Sequence, residues 1–365
     1  MKILHILWSG EIGGAQKAVY QLIKEQIRAT ELNIQPAVIF GKAEGLYYEK
    51  IKETGCEVID ANLKKEGNIY KLLKTINLMK PFDIHHFHSA ELLFGFASLF
   101  CNVKRVYSHR GGIYEYPLKQ LLRYKFFGFL LKHYFDKLSG NTIHACKSAA
   151  MLFKIPENMW EIIYNGLDFQ LLIPSKHLQE VRTQLSLADS KFIIATAAQI
   201  RKWKRIDLLL NACLLIKDLD FILIIIGDGP EKVNLENLAT KLGIINNVIF
   251  VGKQNNIADF LQLANVFVLP SLPLESFGNA CVEAMAMGIP AIVMSDGGGL
   301  IEHIINGKNG FIVQNVEEMA GRLRQLYSEP SLGKIMGQNA REYVREKYTI
   351  SRMLKNYYNL YNSIA

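Results

Sequence analysis

Short apolar runs and longer stretches with apolar residues every three to four positions alternate along the whole chain. "KILHILWS", "QPAVIFG", "CEVIDA", "FDIHHFHS" and "VKRVYSHR" have the length of strands. Helical patterns over about 14–29, 47–54, 68–79 and 117–138, with an apolar segment at 91–100, fall between or after them, and "NTIHACKS" reads as the next strand. A second series runs through "KFIIATAAQI", "DFILIIIGDG", "NVIFVG", "VFVLPS", "PAIVMS" and "GFIV". Apolar strands alternating with helices predict parallel sheets covered on both faces, the α/β class.

A chain of 365 residues exceeds one ordinary hydrophobic core, so two domains are expected. The segment "EIIYNGLDFQLLIP" at 161–174 carries an Asn-Gly turn signal and then Pro174, which puts the boundary there. The expected division is an N-terminal Rossmann-like domain at 1–165 and a C-terminal one at 166–345. A last helix at 346–365, with no strand left to serve, would pack back on the first domain. Doubly wound domains bind ligands outside the carboxyl ends of their strands, and a cleft between the two is the expected place.

Composition narrows the class. Hydrophobic residues make up 50% and charged residues 21%, the balance of a globular chain. The longest apolar run, "FILIII", is far short of the ~20 residues that a membrane span needs. The opening "MKILHILWSG" has too short an apolar stretch and no small-residue cleavage site, so it reads as a first strand and not a signal peptide. Cys56, Cys101, Cys146, Cys213 and Cys281 form no CxxC pair, which points to a reducing cytoplasm without disulfides or structural zinc. The net charge of +8 is uneven: residues 1–165 hold 22 Lys and Arg against 15 Asp and Glu, whereas 166–365 hold 20 against 19. Between 104 and 138, eight basic residues face only Glu115 and Asp136, which suggests an anionic partner for the first half.

The chemistry concentrates in "ESFGNACVEAMAMGIP" at 275–290. Glu275 falls in the loop after the buried strand "VFVLPS", and a helix is expected from about 279 to 287, stopped by Gly288 and Pro290. A helix start carries partial positive charge and suits a diphosphate, with Gly278 removing the side chain where approach is closest. Glu283, one turn in, can accept hydrogen bonds from a ribose diol, and Glu275 can reach the group beyond the diphosphate. A solvated loop glutamate plus a helix glutamate that only favours the helix start would look the same locally.

With these residues in place, the sequence resembles the retaining glycosyltransferases of family 4, within glycosyl transferases group 1, which have the GT-B fold: two Rossmann-like doubly wound domains facing each other across a cleft. Glu275 and Glu283 match the family's E-x7-E pattern. "IIIGDGPE" (224–231), "VIFVGKQNNIADFLQLANVFVLPS" (248–271), "GGLIEHIINGKNGFIV" (298–313) and "IYNGLD" (163–168) are similar to family segments in the same order. The resemblance implies that Glu275 meets the donor sugar's hydroxyls and Glu283 the ribose, with the amides around Phe277, Gly278 and Asn279 facing the diphosphate and sugar. It also implies a basic pair on the diphosphate, in a pattern like G-R-L-x-x-x-K-G. "AQIRKWKR" puts Lys204 at the lysine but Gln199 where the arginine is expected, with Arg201 nearby. The family's Gly-Gly loop corresponds to Gly13 and Gly14, and its sugar-facing histidine to His109, beside Arg110. Locally, a glycine pair in a βα turn needs no ligand to explain it, and "SGEIGG" is not a dinucleotide fingerprint.

Other features carry less. His86 and His88 share a strand face and His85 points to the other, with no Cys or carboxylate cluster nearby, so no metal is expected. Asp218-Leu219-Asp220 reads as a strand-entry turn, and the resemblance implies no required metal or other cofactor. The segment 113–138 interleaves aromatics with Lys119, Arg123, Lys125 and Lys132, as either a helix on anionic membrane or a core helix with a basic outer face would. Nucleic acid finds no recognition motif.

The expected function is retaining, metal-independent transfer of a hexosyl or N-acetylhexosaminyl group. The donor would be a nucleotide diphosphosugar, UDP preferred over GDP, and the acceptor a glycan or lipid-linked hydroxyl in cell-surface polysaccharide or glycolipid assembly. The enzyme would be cytoplasmic, at most peripheral at the inner membrane face. The alternatives are a nucleotide-sugar epimerase of the same architecture and a catalytically silent binding subunit.

Overall fold

A computed structural model describes residues 1–63, 69–112, 118–188 and 191–365. The chain divides into two compact units, Met1–Leu167 with Tyr348–Ala365, and Asp168–Lys347.

In the first unit the strands are β1 (Lys2–Ser9), β2 (Gln35–Lys42), β3 (Glu57–Asp60), β4 (Ile84–Phe87), β5 (Lys104–His109), β6 (Lys137–Gly140) and β7 (Trp160–Ile162). They pair in the order β3-β2-β1-β4-β5-β6-β7, parallel throughout the described pairs. Alternation splits β1 between two cores: Leu4 and Ile6 face one side, Ile3 and Leu7 the other. Two expectations change. "NTIHACKS" is not a strand; Thr142 accepts from the Ala145 amide at 2.9 Å and opens the helix Ile143–Phe153. The strand is the preceding Lys137–Gly140, where a Cβ on Gly140 would lie 2.6 Å from Cys146 Sγ; Leu138 is its single apolar residue and Ser139 and Gly140 are small, so it has no apolar run. Trp160–Ile162, expected to lead into the linker, is the edge strand of the first sheet.

The helix Ile350–Asn362 buries Met353, Leu354, Tyr357, Leu360 and Tyr361 against Ile3, Ile84, Val106 and Ile163. The helix Leu118–Tyr134 is two-sided. It buries Phe127, Leu130 and Leu131 and exposes Leu122, Phe126, Phe129 and Tyr134 with Lys125 and Lys132, while Arg123 pairs with Glu91 at 2.6 Å. Residues 113–117 of the basic aromatic segment, and the side chain of Lys119, lie outside the described residues. Among the described residues no helix is long and apolar enough to cross a membrane.

In the second unit the strands are β8 (Phe192–Ala197), β9 (Phe221–Ile226), β10 (Val248–Gly252), β11 (Val266–Leu269), β12 (Ala291–Met294) and β13 (Gly310–Val313), in the order β10-β9-β8-β11-β12-β13. All their described pairs are parallel. The order reverses between β8 and β11, so the loops leaving these two strands flank the switch point at the carboxyl edge. Asp218 and Asp220 are tied to Arg324 and Lys191 in exposed ion pairs, a surface role for the Asp-Leu-Asp triplet. All five cysteines are free and buried.

Candidate functional site

The loop after β8 makes one turn of 3-10 helix, Lys202–Lys204, and the loop after β11 runs to the helix Asn279–Ala286. The Leu272 amide donates to the Trp203 carbonyl at 2.9 Å, which joins the two loops. Lys204 Nζ then donates to Glu275 Oε2, with their side chains only 10% and 13% exposed. The ammonium lies 4.1 Å from the centroid of the Trp203 ring. Glu275 Oε1 accepts from the Gly278 amide at 3.1 Å, a charge-assisted bond across the corner that opens the helix.

Gly278 makes that corner with φ 77°, in the left-handed region, and a Cβ there would lie 2.2 Å from Leu300 Cδ2. Gly299 packs from the other side: its amide donates to the Glu275 carbonyl at 2.9 Å, and a Cβ on it would fall 1.8 Å from the Ser276 carbonyl oxygen. His303 holds the next carbonyl. Its Nε2 donates to Phe277 O at 2.5 Å, and the two rings meet edge to face at 4.8 Å. Burial brings the His303 pKa down to about 4, so it is a neutral donor with the proton on Nε2. Glu283, one turn into the helix, is 3% exposed. Burial, with the Glu275 charge adding to it, pushes the Cys281 thiol up to about 12, which leaves it unreactive.

Lys204, Glu275, Gly278 and Asn279 therefore converge at one helix start, with Phe277 fixed beneath them and Glu283 on the same helix. Gln199 and Arg201, on the same loop as Lys204, are exposed. His303 was not singled out in the sequence, because its partner is a backbone carbonyl brought near only by folding. Chemically, the site offers an ammonium, a helix start with partial positive charge, and two carboxylates suited to hydroxyl groups.

In the first unit, Gly13 caps the helix Gly14–Arg28 at the end of β1, and His109 ends β5. Burial also brings His109 to about 4, and its Nδ1 contacts Tyr107 OH at 3.2 Å. Register places His5 of β1 opposite His86 of β4, and with His88 the three bring their nitrogens within 4.8 Å of one another. His5 was not grouped with the others in the sequence because it lies on a different strand. The trio forms a hydrogen-bond network: His5 Nε2 donates to Gln26 Oε1 at 2.9 Å, and His5 Nδ1 pairs with His88 Nε2 at 3.0 Å. His86 contacts Tyr361 OH and Ser108 Oγ, both at 2.7 Å. Burial lowers all three pKa values, and the Arg110 charge opposes protonation further. The same charge would oppose a cation held by these nitrogens, so the network reads as polar core.

That burial has a pH consequence. His5, His85, His109 and His303 sit near 4 in the folded chain, and His86 and His88 well below their usual value. An unfolded histidine protonates near 6.5. Below that pH the unfolded chain takes up protons that the folded chain refuses, so stability falls as pH drops from 6.5 towards 4 and is flat above about 7.5. Calorimetry across pH 8 to 4.5 is expected to show a constant Tm that then declines, with up to one proton per buried histidine taken up on unfolding at pH 5. A Tm unchanged down to pH 5 would refute the neutral histidine core.

Two all-parallel α/β units with this helix-start site define the GT-B class. Residues 179–343 match the family model described as glycosyl transferases group 1. It is 29% identical to N-acetyl-alpha-D-glucosaminyl L-malate synthase of Bacillus anthracis over 212 residues, 57% of this chain and 55% of that one. It is also 29% identical to D-inositol 3-phosphate glycosyltransferase of Streptomyces avermitilis over 222 residues, 56% and 47% of the two chains. The chain spans about half the length of these curated relatives. HepE from Anabaena, in complex with UDP, superposes over 100% of both chains with a TM-score of 0.87 at 20% identity. A glycosyltransferase from Rickettsia africae ESF-5 superposes with a TM-score of 0.85 at 20% identity, over 100% of this chain and 98% of that one. At such identities the likeness concerns the fold.

Proposed function

We propose that this chain transfers a sugar from a nucleotide diphosphosugar, with UDP ahead of GDP, to an acceptor hydroxyl with retention of configuration. The observation that carries this is the Lys204–Glu275–Gly278 constellation at the start of Asn279–Ala286, with Glu283 one turn on. The UDP preference draws support from HepE, whose structures include complexes with UDP and with UDP-glucose. Lys204 and the helix start would neutralise the departing diphosphate, Glu275 would orient the sugar hydroxyls, and Glu283 would hold the ribose. In front-face displacement the bond from the anomeric carbon to the diphosphate oxygen breaks. The acceptor oxygen bonds the same face, and its proton passes to the leaving diphosphate. That route needs neither a carboxylate nucleophile nor a metal. For the first unit the same reading assigns His109 to the sugar and Gly13 and Gly14 to the acceptor or diphosphate. The exposed face of Leu118–Tyr134, apolar with Lys125 and Lys132, would rest on an anionic inner membrane, as a step in surface glycan or glycolipid assembly would require.

The test is incubation of the purified chain with UDP- and GDP-sugars, with and without lipid-linked acceptors in anionic or neutral vesicles. Acceptor-dependent nucleotide release, a product with the donor's anomeric configuration, and co-flotation with anionic vesicles are expected. A changed nucleotide sugar without acceptor would mean an epimerase, and binding without turnover a silent subunit. Equal flotation with neutral vesicles would remove the membrane role alone.

A further inference from the structure

Arg205 has a backbone that its side chain does not favour. It sits at φ 49° and ψ 38°, the left-handed region, between the turn Lys202–Lys204 and the helix Ile206–Leu215. In the basic-pair pattern to which "AQIRKWKR" corresponds, glycine follows the lysine; here Arg205 does. A side chain there costs about 1 kcal/mol relative to glycine, so something must offset it.

The guanidinium provides the offset. Nε donates to the Pro270 carbonyl at 2.7 Å and Nη2 to the Ser271 carbonyl at 3.0 Å. The outer edge forks onto Asp296, Nη1 to Oδ2 at 2.9 Å and Nη2 to Oδ1 at 2.5 Å. Its side chain is 19% exposed. One planar group therefore ties the loop after β8 to the loops after β11 and β12. The tie is adjacent to the chemistry on both sides: Lys204 precedes Arg205, and Pro270–Ser271 lead into the loop that carries Glu275. A lysine has its three donors on a single nitrogen and lacks the fixed fork that spans these separated acceptors.

We propose that Arg205 is a positioning residue for sugar transfer, holding the loop exits after β8, β11 and β12 in the register that sets Lys204 and Glu275 at the helix start. This rests on the donor-site reading above. Small displacements of such groups cost turnover steeply, because the stabilising charge must already point where charge develops.

The test compares Arg205→Gly, Arg205→Lys and Asp296→Asn with Lys204→Ala and Glu275→Ala. The substrate is UDP-glucose, or whichever sugar of the panel above the unaltered chain turns over, at a temperature well below each Tm. Arg205→Gly relieves the backbone strain while removing the clamp, so its Tm should change little and its kcat should fall at least tenfold. Arg205→Lys should recover only part of that kcat, and Asp296→Asn, which keeps the carbonyl bonds, should lose only a few-fold. A purely structural role predicts a lower Tm with unaltered kcat in the folded fraction. If Lys204→Ala and Glu275→Ala abolish turnover while folded Arg205→Gly has the original kcat, the proposal is overturned and the donor site stands. If the Lys204 and Glu275 variants are fully active, both fall. Should Arg205→Gly fail to fold, Arg205→Lys decides: a tenfold loss of kcat supports the proposal and unaltered kcat overturns it. A crystal structure of the variant used should show residues 270–275 shifted and the Lys204–Glu275 ion pair broken; an unmoved loop would contradict the clamp.

Discussion

Replacing Glu275 by alanine is expected to lower turnover by about two to three orders of magnitude in a chain that stays folded, and Lys204→Ala to do the same. The two side chains form one unit. Each is nearly buried, and each neutralises the other beside the Gly278 amide. With donor bound, sugar hydroxyls would share Glu275 and the diphosphate would share Lys204, so the pair changes partners and both charges stay compensated. Removing either leaves a charge in a site from which water is largely excluded, a destabilisation of a few kcal/mol at most, since Glu275 retains the Gly278 amide and Lys204 the Trp203 ring. The double variant should therefore lose no more turnover than the worse single one, the pattern of groups that act together. The effects should also divide: Lys204→Ala weakens the nucleotide complex, whereas Glu275→Ala keeps UDP affinity through Glu283 and loses mainly kcat. Steady-state kinetics and UDP calorimetry on the three variants, with circular dichroism to verify folding, check this. Near-normal kcat in a folded Glu275→Ala chain would remove Glu275 from the reaction, and additive losses in the double variant would separate the pair.

Gly278→Ala should do nearly as much damage by adding a single methyl group. The residue has φ 77°, and the new Cβ would sit 2.2 Å from Leu300 Cδ2, on a side chain that is itself fully buried. The left-handed backbone costs about 1 kcal/mol for alanine, and relieving the overlap costs about 1–3 kcal/mol more. Gly299 packs against the Ser276 carbonyl from the other direction, so the overlap strains the Gly278 corner itself. Movement there carries away the amide that Glu275 binds and tilts the first turn of the helix. Gly278→Ala is expected to lower Tm by several degrees and kcat by at least tenfold, with a raised KM for the donor. Leu300→Ala in the same chain makes room for the methyl and should restore part of the kcat. If Gly278→Ala has unaltered kcat and KM, the corner does not position the donor.

Much of this was legible before folding. Parallel two-unit architecture follows from apolar runs such as "FILIII" and "VFVLPS" separated by helical stretches, because strands buried on both faces lose all polar alternation. β6 and β7 escaped for the converse reason. Ser139 and Gly140 pack by being small, and a three-residue edge strand gives too short a pattern to read. In the site, Glu275, Gly278 and Glu283 could be read from spacing along one loop and helix, and Lys204 only from the basic-pair pattern of the family that the sequence resembles. Contacts between separate loops could not. Arg205 works through carbonyls some 65 residues away, His303 through the Phe277 carbonyl, and His5 by register across β1 and β4. Backbone partners leave no trace in side-chain spacing. The exposed setting of Gln199 and Arg201 likewise depends on how their loop leaves β8.

A crystal structure of the chain with an intact nucleotide diphosphosugar, or a non-hydrolysable analogue, tests the donor site most directly. Both phosphates should lie against the amides at Gly278 and Asn279 within reach of Lys204 Nζ, with Glu283 on the ribose and Glu275 on the sugar. Phosphates bound away from that helix start, with the Lys204–Glu275 pair undisturbed, would contradict it.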